Sequence, residues 1–275
     1  MTGRRRQLVV PREHGAWGIL LVPLVTGAAL GLLSGGSAAG LVPFTAAALA
    51  LFWLRTPVES WMGTAPVHAR TPDEFRLVRR TAGALVLISL AALAGVFRGF
   101  RNAALVWIGA AAGAAFAGQV IVRRAWRRAR TSAQMLGALG LTSTSAAAYY
   151  VATGRLDRAA WSVWAANFLF AGNQVHYVQV RIRAAHTAAR GEALAIGRWF
   201  LAGQVGLIAV LAASVAGRVL PWPATLAFAP VLVRGFAWFR ARPEPLAIRS
   251  LGKRELLYAC AFGVLLVLGM YRSGR

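Results

Sequence analysis

Acidic residues, lysine and cysteine are scarce in this chain of 275 residues. The low share of charged residues and the single cysteine each exclude a class of protein. Only 8 residues are Asp or Glu, and all charged residues together make up 14% of the chain. A soluble domain carries about 25% charged residues, so this composition excludes an ordinary soluble fold. The one cysteine, Cys260, cannot form an intrachain disulfide, and no His, Cys or carboxylate spacing resembles a metal site. We therefore expect neither a metal nor a cofactor.

Long apolar runs take the place of charge: 58% of the residues are hydrophobic and the mean hydropathy is +0.57. Helical runs of about 20 residues match the thickness of the bilayer core. Lipid gives the backbone no hydrogen-bond partner, and continuous rather than alternating runs favour helices over a barrel. We predict an all-α fold, a polytopic membrane helix bundle of nine transmembrane helices that forms a single domain over residues 1–275. The spans lie at approximately 15–34, 41–56, 82–99, 102–122, 134–152, 160–178, 197–216, 222–239 and 255–271.

Basic residues outnumber acids by a wide margin, 31 Lys and Arg against 8 Asp and Glu, and only Lys253 is a lysine. They concentrate in alternate loops, which the positive-inside rule assigns to the cytoplasm. Nine spans then place the N-terminus in the cytoplasm and the C-terminus outside, in the cell (inner) membrane. Arginines between apolar spans meet anionic lipid, whereas nucleic-acid binding requires a basic face on a soluble fold. The expected partners are membrane lipids and not nucleic acid.

The N-terminal segment has the outline of a secretory signal, with Arg4-Arg5-Arg6 before an apolar run and Ser37-Ala38-Ala39 after it. A signal core is about 7–15 residues long, and this run is longer at about 20 residues. The run also begins with two ionisable residues, Glu13 and His14. We therefore expect the first helix to be retained in the membrane.

Span 6 carries the richest set of polar residues inside an apolar run. Asn173, His176, Tyr177 and Arg183 are spaced i, i+3, i+4 and i+10, which predicts one helix face, and Gln174 and Arg181 share an adjacent face. Polar groups within a span are costly and are retained mainly for function. This stripe predicts a cavity that accepts an anionic head group at the cytoplasmic mouth. The alternative is a hydrogen-bond ladder between helices, with arginines that extend to the interface.

Span 1 opens with Arg12, Glu13 and His14. At a helix start, the Glu13 carboxylate gains from the helix dipole and can pair with a neighbouring arginine. His14 can shuttle a proton, or bind an anion when it is protonated. The alternative is pairing and anchoring at the membrane interface alone.

Two further arginines lie beside prolines. Pro57 predicts that the helix of span 2 ends just after Arg55, and Arg55 lies at most one turn from Glu59, which predicts a salt bridge. Arg234 in span 8 follows Pro230 by one turn, where a weakened helix can direct an arginine into a cavity. The alternative for Arg234 is extension to the interface.

Three motifs have structural interpretations. Thr71-Pro72-Asp73-Glu74 predicts a helix cap and first turn before span 3. The hydroxyls of Thr142-Ser143-Thr144-Ser145 can bond back to their own helix. Small residues four apart allow two helices to approach closely. Two such pairs are Gly27 with Gly31 and Gly109 with Gly113.

The opening heptad Pro11-Arg12-Glu13-His14-Gly15-Ala16-Trp17, followed by an apolar helix, resembles the N-terminal signature of the YwiC-like family of bacterial membrane proteins. Ser250-Leu251-Gly252-Lys253-Arg254-Glu255-Leu256, at the start of the last span, is similar to that family's ending. The resemblance covers most of the chain, and the heptad is its specific part.

The predicted architecture also resembles UbiA-type intramembrane prenyltransferases, with nine helices and long cytoplasmic loops after spans 2 and 6, here Pro57–Thr81 and Gln179–Ile196. In that family, two aspartate-rich motifs at these loops hold magnesium and an isoprenyl diphosphate. The matching positions here are Arg55–Glu59 and Asn173–Tyr177, and neither carries an aspartate pair. The resemblance therefore implies a UbiA-like arrangement in which arginines bind an anionic lipid directly.

Together these features predict a multi-pass membrane protein with a polar, basic cavity that faces the cytoplasm and binds or modifies an anionic isoprenoid or other lipid. The acid-base residues are Glu13, His14 and His176. The substrate-binding residues are Arg12, Arg55, Glu59, Asn173, Gln174, Tyr177, Arg181, Arg183 and Arg234. The alternative is a transporter or channel for a small anion, since span 6 is polar and spans 2 and 8 contain prolines. A membrane scaffold without a ligand is a third interpretation.

Overall fold

The secondary structure of the described residues is helical. The computed structural model describes residues 3–11, 14–99, 103–126, 129–185, 190–240 and 247–273, and this part of the chain contains no strand. The helices are α1 (Gly3–Val9), α2 (His14–Leu33), α3 (Leu41–Trp61), α4 (Pro72–Gly99), α5 (Ala103–Ala125), α6 (Arg130–Thr142), α7 (Thr144–Thr153), α8 (Arg158–Ala184), α9 (Arg190–Ala216), α10 (Trp222–Thr225), α11 (Ala229–Arg240) and α12 (Ile248–Ser273). One turn of 3-10 helix, Leu226–Phe228, joins α10 to α11. The prediction of an all-α fold is confirmed.

Within the described residues, five helical segments are long and apolar enough to cross a membrane. They are Leu41–Trp61, Pro72–Arg98, Ala103–Ala125, Leu194–Ala216 and Ser250–Ser273. Much of their apolar surface is exposed: Trp107 is 73% exposed, Leu257 70% and Leu87 68%. Soluble proteins rarely expose apolar surface on this scale, whereas lipid covers it in a membrane. The chain is a multi-pass membrane protein.

The remaining predicted spans have less regular counterparts. An apolar helix at Trp17–Leu33 is shorter than the five, and α8 is long but carries amides, an imidazole and arginines. Predicted span 134–152 is divided into α6 and α7 at Ser143. Predicted span 222–239 is divided into α10, the 3-10 turn and α11. The count of nine transmembrane helices therefore stays a prediction.

The described residues form two compact units, which we treat separately. The smaller unit contains the described parts of residues 1–14 and 37–102, and the larger contains those of 15–36 and 103–275. A single domain over residues 1–275 stays a prediction.

In the smaller unit, α3 packs along α4 and α1 packs against both. Helix α4 begins as its motif predicts, with Pro72 in the first turn and the Glu74 backbone N–H donating to the Thr71 hydroxyl (3.3 Å). The Glu74 carboxylate also accepts from Arg4 Nε (2.8 Å) and from the Arg70 backbone N–H (2.9 Å). This hydrogen bond from Arg4 raises the pKa of its guanidinium above the ordinary value. The pair ties α1 to the start of α4.

The predicted end of span 2 is wrong. Helix α3 continues through Pro57 to Trp61, so the chain between α3 and α4 covers only residues 62–71 instead of Pro57–Thr81. A proline removes one backbone hydrogen bond, and a buried helix can continue when packing outweighs that loss. Pro57 is buried, and Arg55 Nε reaches Glu59 Oε1 across it (3.0 Å). The predicted Arg55–Glu59 salt bridge is confirmed.

In the larger unit, sequence signals set the boundary between α7 and α8. Gly154 follows α7 in the left-handed conformation with φ +69°, which glycine adopts without strain. Asp157 caps α8, and its Oδ1 accepts from the backbone N–H groups of Ala159 (2.9 Å) and Ala160 (3.2 Å). The Tyr149 hydroxyl donates to the other oxygen of Asp157 (3.2 Å). The cap of α8 is thereby held against α7.

The hydroxyl run at the break between α6 and α7 behaves as predicted. Thr142, Ser143, Thr144 and Ser145 donate to main-chain carbonyls three or four residues earlier, at 2.6 to 2.8 Å. These bonds satisfy polar groups that lipid and apolar neighbours cannot satisfy. The run is therefore structural.

The two glycine pairs differ. A Cβ at Gly27 would overlap the Ser145 backbone, and one at Gly31 would lie 2.6 Å from the Ala152 Cβ, so the predicted close approach is confirmed for this pair. At Gly109 and Gly113, no described atom lies within 4 Å of an added Cβ, so the prediction is wrong there. Spacing permits a close approach but does not supply the partner helix.

Replacement of Gly27 by alanine should destabilise the larger unit, because the new methyl group has no space against the Ser145 backbone. Overpacking of this kind costs about 1–3 kcal/mol. Unfolding of purified protein in one detergent measures the effect. Gly109→Ala is the matched control and should be neutral or slightly stabilising, since alanine favours a helix by about 1 kcal/mol over glycine. Equal responses of the two variants would contradict the close approach.

Candidate functional site

A buried ion pair between Arg234 and Glu255 lies at the centre of the polar groups of the larger unit. Arg234 on α11 is 8% exposed and Glu255 on α12 is 6% exposed. Arg234 Nη1 donates to Glu255 Oε2, and Arg234 Nη2 donates to Asn173 Oδ1 on α8 (3.1 Å). Charges buried among apolar helices require such partners. The pair therefore couples three helices.

Two aromatic rings and an amide complete the surroundings of the pair. The Arg234 guanidinium carbon lies 4.0 Å from the centroid of the Tyr177 ring and 5.0 Å from that of Tyr258, so both rings stabilise its charge by cation–π contact. Gln174 Nε2 donates to the main-chain carbonyl of Glu255 (2.9 Å). We call this group the Arg234 cluster. Its members are Asn173, Gln174, Tyr177, Arg234, Glu255 and Tyr258.

Two buried atoms of the ion pair lack a hydrogen-bond partner among the described residues. They are Arg234 Nε and Glu255 Oε1. Gln204 on α9 is fully buried, its amide packs against Gly235, and neither amide atom has a described partner. An unsatisfied buried polar group costs about 1–3 kcal/mol, and more when it is charged. A small polar species bound here would remove that cost.

Further positive charge lies close to the cluster. Arg181, one turn after Tyr177 on α8, is within electrostatic reach of Glu255 and interacts with the Tyr177 hydroxyl. Because Arg234 and Glu255 neutralise each other, Arg181 gives the cluster a net positive charge among the described residues. The site can therefore hold an anion near Arg181, where α8 approaches its end.

Of the four residues predicted to share one face of span 6, two meet the cluster. Asn173 and Tyr177 contact Arg234, whereas the His176 ring stands edge-on to Phe200 of α9 at 5.3 Å. Arg183 Nη2 donates to the Thr131 hydroxyl of α6 (3.2 Å). Because each residue turns an α-helix by about 100°, Tyr177 and Arg183 point about 120° apart. The single-face prediction therefore holds for Asn173 and Tyr177 only.

The other predicted site residues lie elsewhere or outside the description. Arg55 and Glu59 pair with each other in the smaller unit. Arg12, Glu13 and the side chain of His14 lie outside the described residues. Their catalytic and binding roles, and those of His176 and Arg183, stay predictions.

Sequence analysis missed Glu255, Tyr258 and Gln204 as site residues. Glu255 follows Lys253 and Arg254, and a carboxylate beside two basic residues is typical of an exposed helix start. The structure begins α12 at Ile248, two turns earlier, which places Glu255 inside the bundle. An acid within an apolar helix of a chain with only 8 acids was the available signal.

A small hollow adjoins the cluster. It lies between α2 and α8, and its accessible volume is about 10 Å³. It is lined by Gly18, Ile19, Val22, Pro23, Asn167, Phe170, Ala171 and Gln174. A water molecule needs about 10–15 Å³ of such volume, so the hollow holds at most one water unless its walls move. Gln174 belongs to both features and connects the apolar hollow to the Arg234 cluster.

The described residues contain no group of three or more His, Cys, Asp or Glu side chains that could hold a metal ion. The Arg234 cluster contains one carboxylate that could bind a metal ion, that of Glu255. Its Oε2 already accepts a hydrogen bond from Arg234. The chemistry of the cluster is therefore that of charge-assisted hydrogen bonds.

The chain is similar to a protein family and to a named Bacillus protein. A family model described as YwiC-like protein matches residues 10–150. The Bacillus subtilis (strain 168) protein named "Uncharacterized protein YwiC" is 26% identical over 259 residues, which cover 92% of this chain and 95% of that protein. No solved structure matches the chain. The residues of the Arg234 cluster lie beyond the segment that the family model matches.

Removal of one partner of the ion pair should cost more stability than removal of both. Glu255→Leu leaves the Arg234 charge buried without a counter-ion, which costs about 3–5 kcal/mol. The double variant Arg234→Met/Glu255→Leu should recover most of that loss, because apolar residues of similar volume replace the pair. Unfolding in one detergent measures both. Lys253→Leu, an exposed position on α12, is the control. A double variant no more stable than Glu255→Leu would contradict a buried pair.

Proposed function

Because this chain belongs to the YwiC-like family and its apolar helices are long enough to cross a membrane, we propose that it binds an anionic lipid at the Arg234 cluster. The ligand is an isoprenoid or another lipid, with its charged head group on the polar side chains and its chain among the helices. No reaction is assigned: Glu13 and the His14 side chain lie outside the described residues, and the His176 ring packs against Phe200.

The observation that carries this proposal is the pair of unsatisfied buried atoms in a net-positive site. Arg234 Nε and Glu255 Oε1 have no described partner, and Arg181 supplies an unbalanced positive charge one turn away. Polar groups without partners are expensive in a region where lipid provides none. An anionic head group supplies an acceptor for Arg234 Nε and a charge that compensates that of Arg181.

The proposed topology gives the cluster access to one leaflet. Nine crossings in a UbiA-like arrangement in the cell (inner) membrane, with a cytoplasmic N-terminus and an external C-terminus, put the end of α8, the end of α11 and the start of α12 on the cytoplasmic side. Arg181 lies three residues before the end of α8, and Glu255 lies two turns inside α12. The alternation of arginine-rich loops supports this orientation. The cavity then faces the cytoplasmic leaflet, where anionic lipids concentrate.

A small-anion transporter is the second candidate. Its support is the interrupted segment from Trp222 to Arg240, in which a short helix, a 3-10 turn and α11 replace a continuous span and carry the buried Arg234. Broken helices that present polar groups are typical of substrate sites in transporters. The described polar groups of the Arg234 cluster lie towards one end of α8, which favours lipid binding over a full pathway.

Native mass spectrometry of gently extracted protein tests the lipid proposal. Wild-type protein should retain an anionic lipid, and Arg181→Ala should retain several-fold less because it removes the unbalanced charge. Arg183→Ala tests the predicted role of Arg183 in the same way. Arg198→Ala is the matched control: this arginine is exposed, stacks over Trp199 at 5.5 Å and lies outside the cluster.

Equal lipid retention by wild type and Arg181→Ala would contradict binding at the cluster. A flux assay in proteoliposomes separates the two candidates. Uptake of a small anion that depends on Arg234 would favour the transporter, and its absence together with retained lipid would favour lipid binding.

A further inference from the structure

We propose that one face of α4, in the smaller unit, binds an anionic phospholipid, with the phosphate on arginines and an acyl chain along the apolar helix below them. This site goes beyond the proposed function, which belongs to the Arg234 cluster of the larger unit. We call it the α4 lipid face. Its members are Arg76, Arg79, Arg80, Gly83, Leu87, Leu90 and Ala94.

Three arginines form one end of this face. Arg76, Arg79 and Arg80 are spaced i, i+3 and i+4, which places them on one side of the helix, and all three are exposed. Glu74 and Val78 point to the opposite side and are buried there, where α1 packs. Helix α1 therefore covers the other side of α4 and leaves the arginines exposed to the surroundings.

The same side of α4 continues as an exposed apolar stripe. Leu87 is 68% exposed and Leu90 58%, and Gly83 and Ala94 are exposed as well. Gly83 lies one turn below Arg79, and no described atom lies within 4 Å of a Cβ added there. The face therefore presents positive charge, then open space, then apolar surface. A phospholipid presents its phosphate, glycerol and acyl chain in the same order.

The length of α4 places the arginines at the edge of the hydrocarbon core. The helix has 28 residues and is about 42 Å long, whereas the hydrocarbon core is about 30 Å thick. Between Arg80 and Arg98 it has no charged residue and rises about 27 Å, which matches the core. The two turns before Arg80 therefore extend into the head-group layer, where lipid phosphates lie.

This end of the smaller unit carries an excess of positive charge. Residues 3–11 and 62–80 contain seven arginines but only two carboxylates, those of Asp73 and Glu74. Each carboxylate pairs with one arginine: Asp73 accepts from Arg76 Nη2 (3.1 Å) and Glu74 accepts from Arg4. The remaining excess attracts anionic head groups. Guanidinium groups also donate two parallel hydrogen bonds to phosphate, which favours a phospholipid over a fatty acid at this face.

Quenching at Gly83 measures which lipid lies on this face. Exposed Cys260 is replaced by alanine, and the full chain carries one fluorophore at Gly83→Cys. Phosphatidylcholine bilayers contain a small fraction of nitroxide-labelled phosphatidylglycerol or phosphatidylcholine, with the nitroxide at the same shallow position of the acyl chain. We expect phosphatidylglycerol to quench about threefold more, since arginines at a membrane surface attract anionic lipid. A fluorophore at Gly109→Cys, an exposed and open glycine of α5, is the matched control and should respond equally to both lipids.

Two double variants locate the preference for phosphatidylglycerol. Arg79→Gln/Arg80→Gln should bring the quenching ratio at Gly83 close to one. Arg155→Gln/Arg272→Gln removes the same charge from exposed positions of the larger unit and should leave the ratio unchanged. Equal quenching by the two lipids without these substitutions would overturn the inference, and so would a preference that survives Arg79→Gln/Arg80→Gln.

A single variant separates this site from the Arg234 cluster. Arg181→Ala should leave the quenching ratio at Gly83 unchanged, because Arg181 belongs to the larger unit. Loss of the ratio in Arg181→Ala would assign the lipid to the cluster and overturn the α4 site. Equal quenching at Gly83 together with anionic lipid retained through Arg181 would overturn the α4 site and leave the proposed function intact.

Discussion

The bilayer provides no hydrogen-bond partners, and this constraint determines how polar groups are arranged in the larger unit. The hydroxyls at the break between α6 and α7 bond to carbonyls of their own segment, and Asn167 donates to the Thr26 hydroxyl (3.0 Å) and to the Val163 carbonyl. Arg234 bonds to Glu255 through Nη1 and to Asn173 of α8 through Nη2. Some buried polar atoms have no described partner: Arg234 Nε, Glu255 Oε1, both amide atoms of Gln204, the Tyr150 hydroxyl and Trp164 Nε1. Among them, the two atoms of the ion pair belong to charged groups, for which a missing partner costs most.

The Arg234 cluster also shows how one ion pair serves structure and binding together. Its contacts connect α8, α11 and α12, so the pair helps to define how these helices pack. The described part of the site stays basic, because Arg234 and Arg181 share one carboxylate, Glu255. A buried polar network with unpaired hydrogen-bonding atoms is less stable than a fully paired one. A ligand that bonds to those atoms would stabilise the network.

Local features were predictable because they depend on neighbours in sequence. The cap before α4, the hydroxyl run at Thr142–Ser145 and the Arg55–Glu59 pair each involve residues within about one helical turn. Predictions that depended on distant partners were less successful. Pro57 lies inside α3 because packing outweighs its missing hydrogen bond. Gly109 has the spacing of Gly27, but no described atom lies within 4 Å of a Cβ added there.

By itself, the sequence determined that this chain is an all-helical membrane protein, because apolar runs and scarce charge leave no other stable state. It also identified span 6 as a polar helix. Only the tertiary structure decided which of those polar residues act together, since the partner of Asn173 and Tyr177 is Arg234 and its counter-ion Glu255 lies on another helix. Hydropathy reports how each residue interacts with lipid, and it contains no information on which residue of another helix will face it.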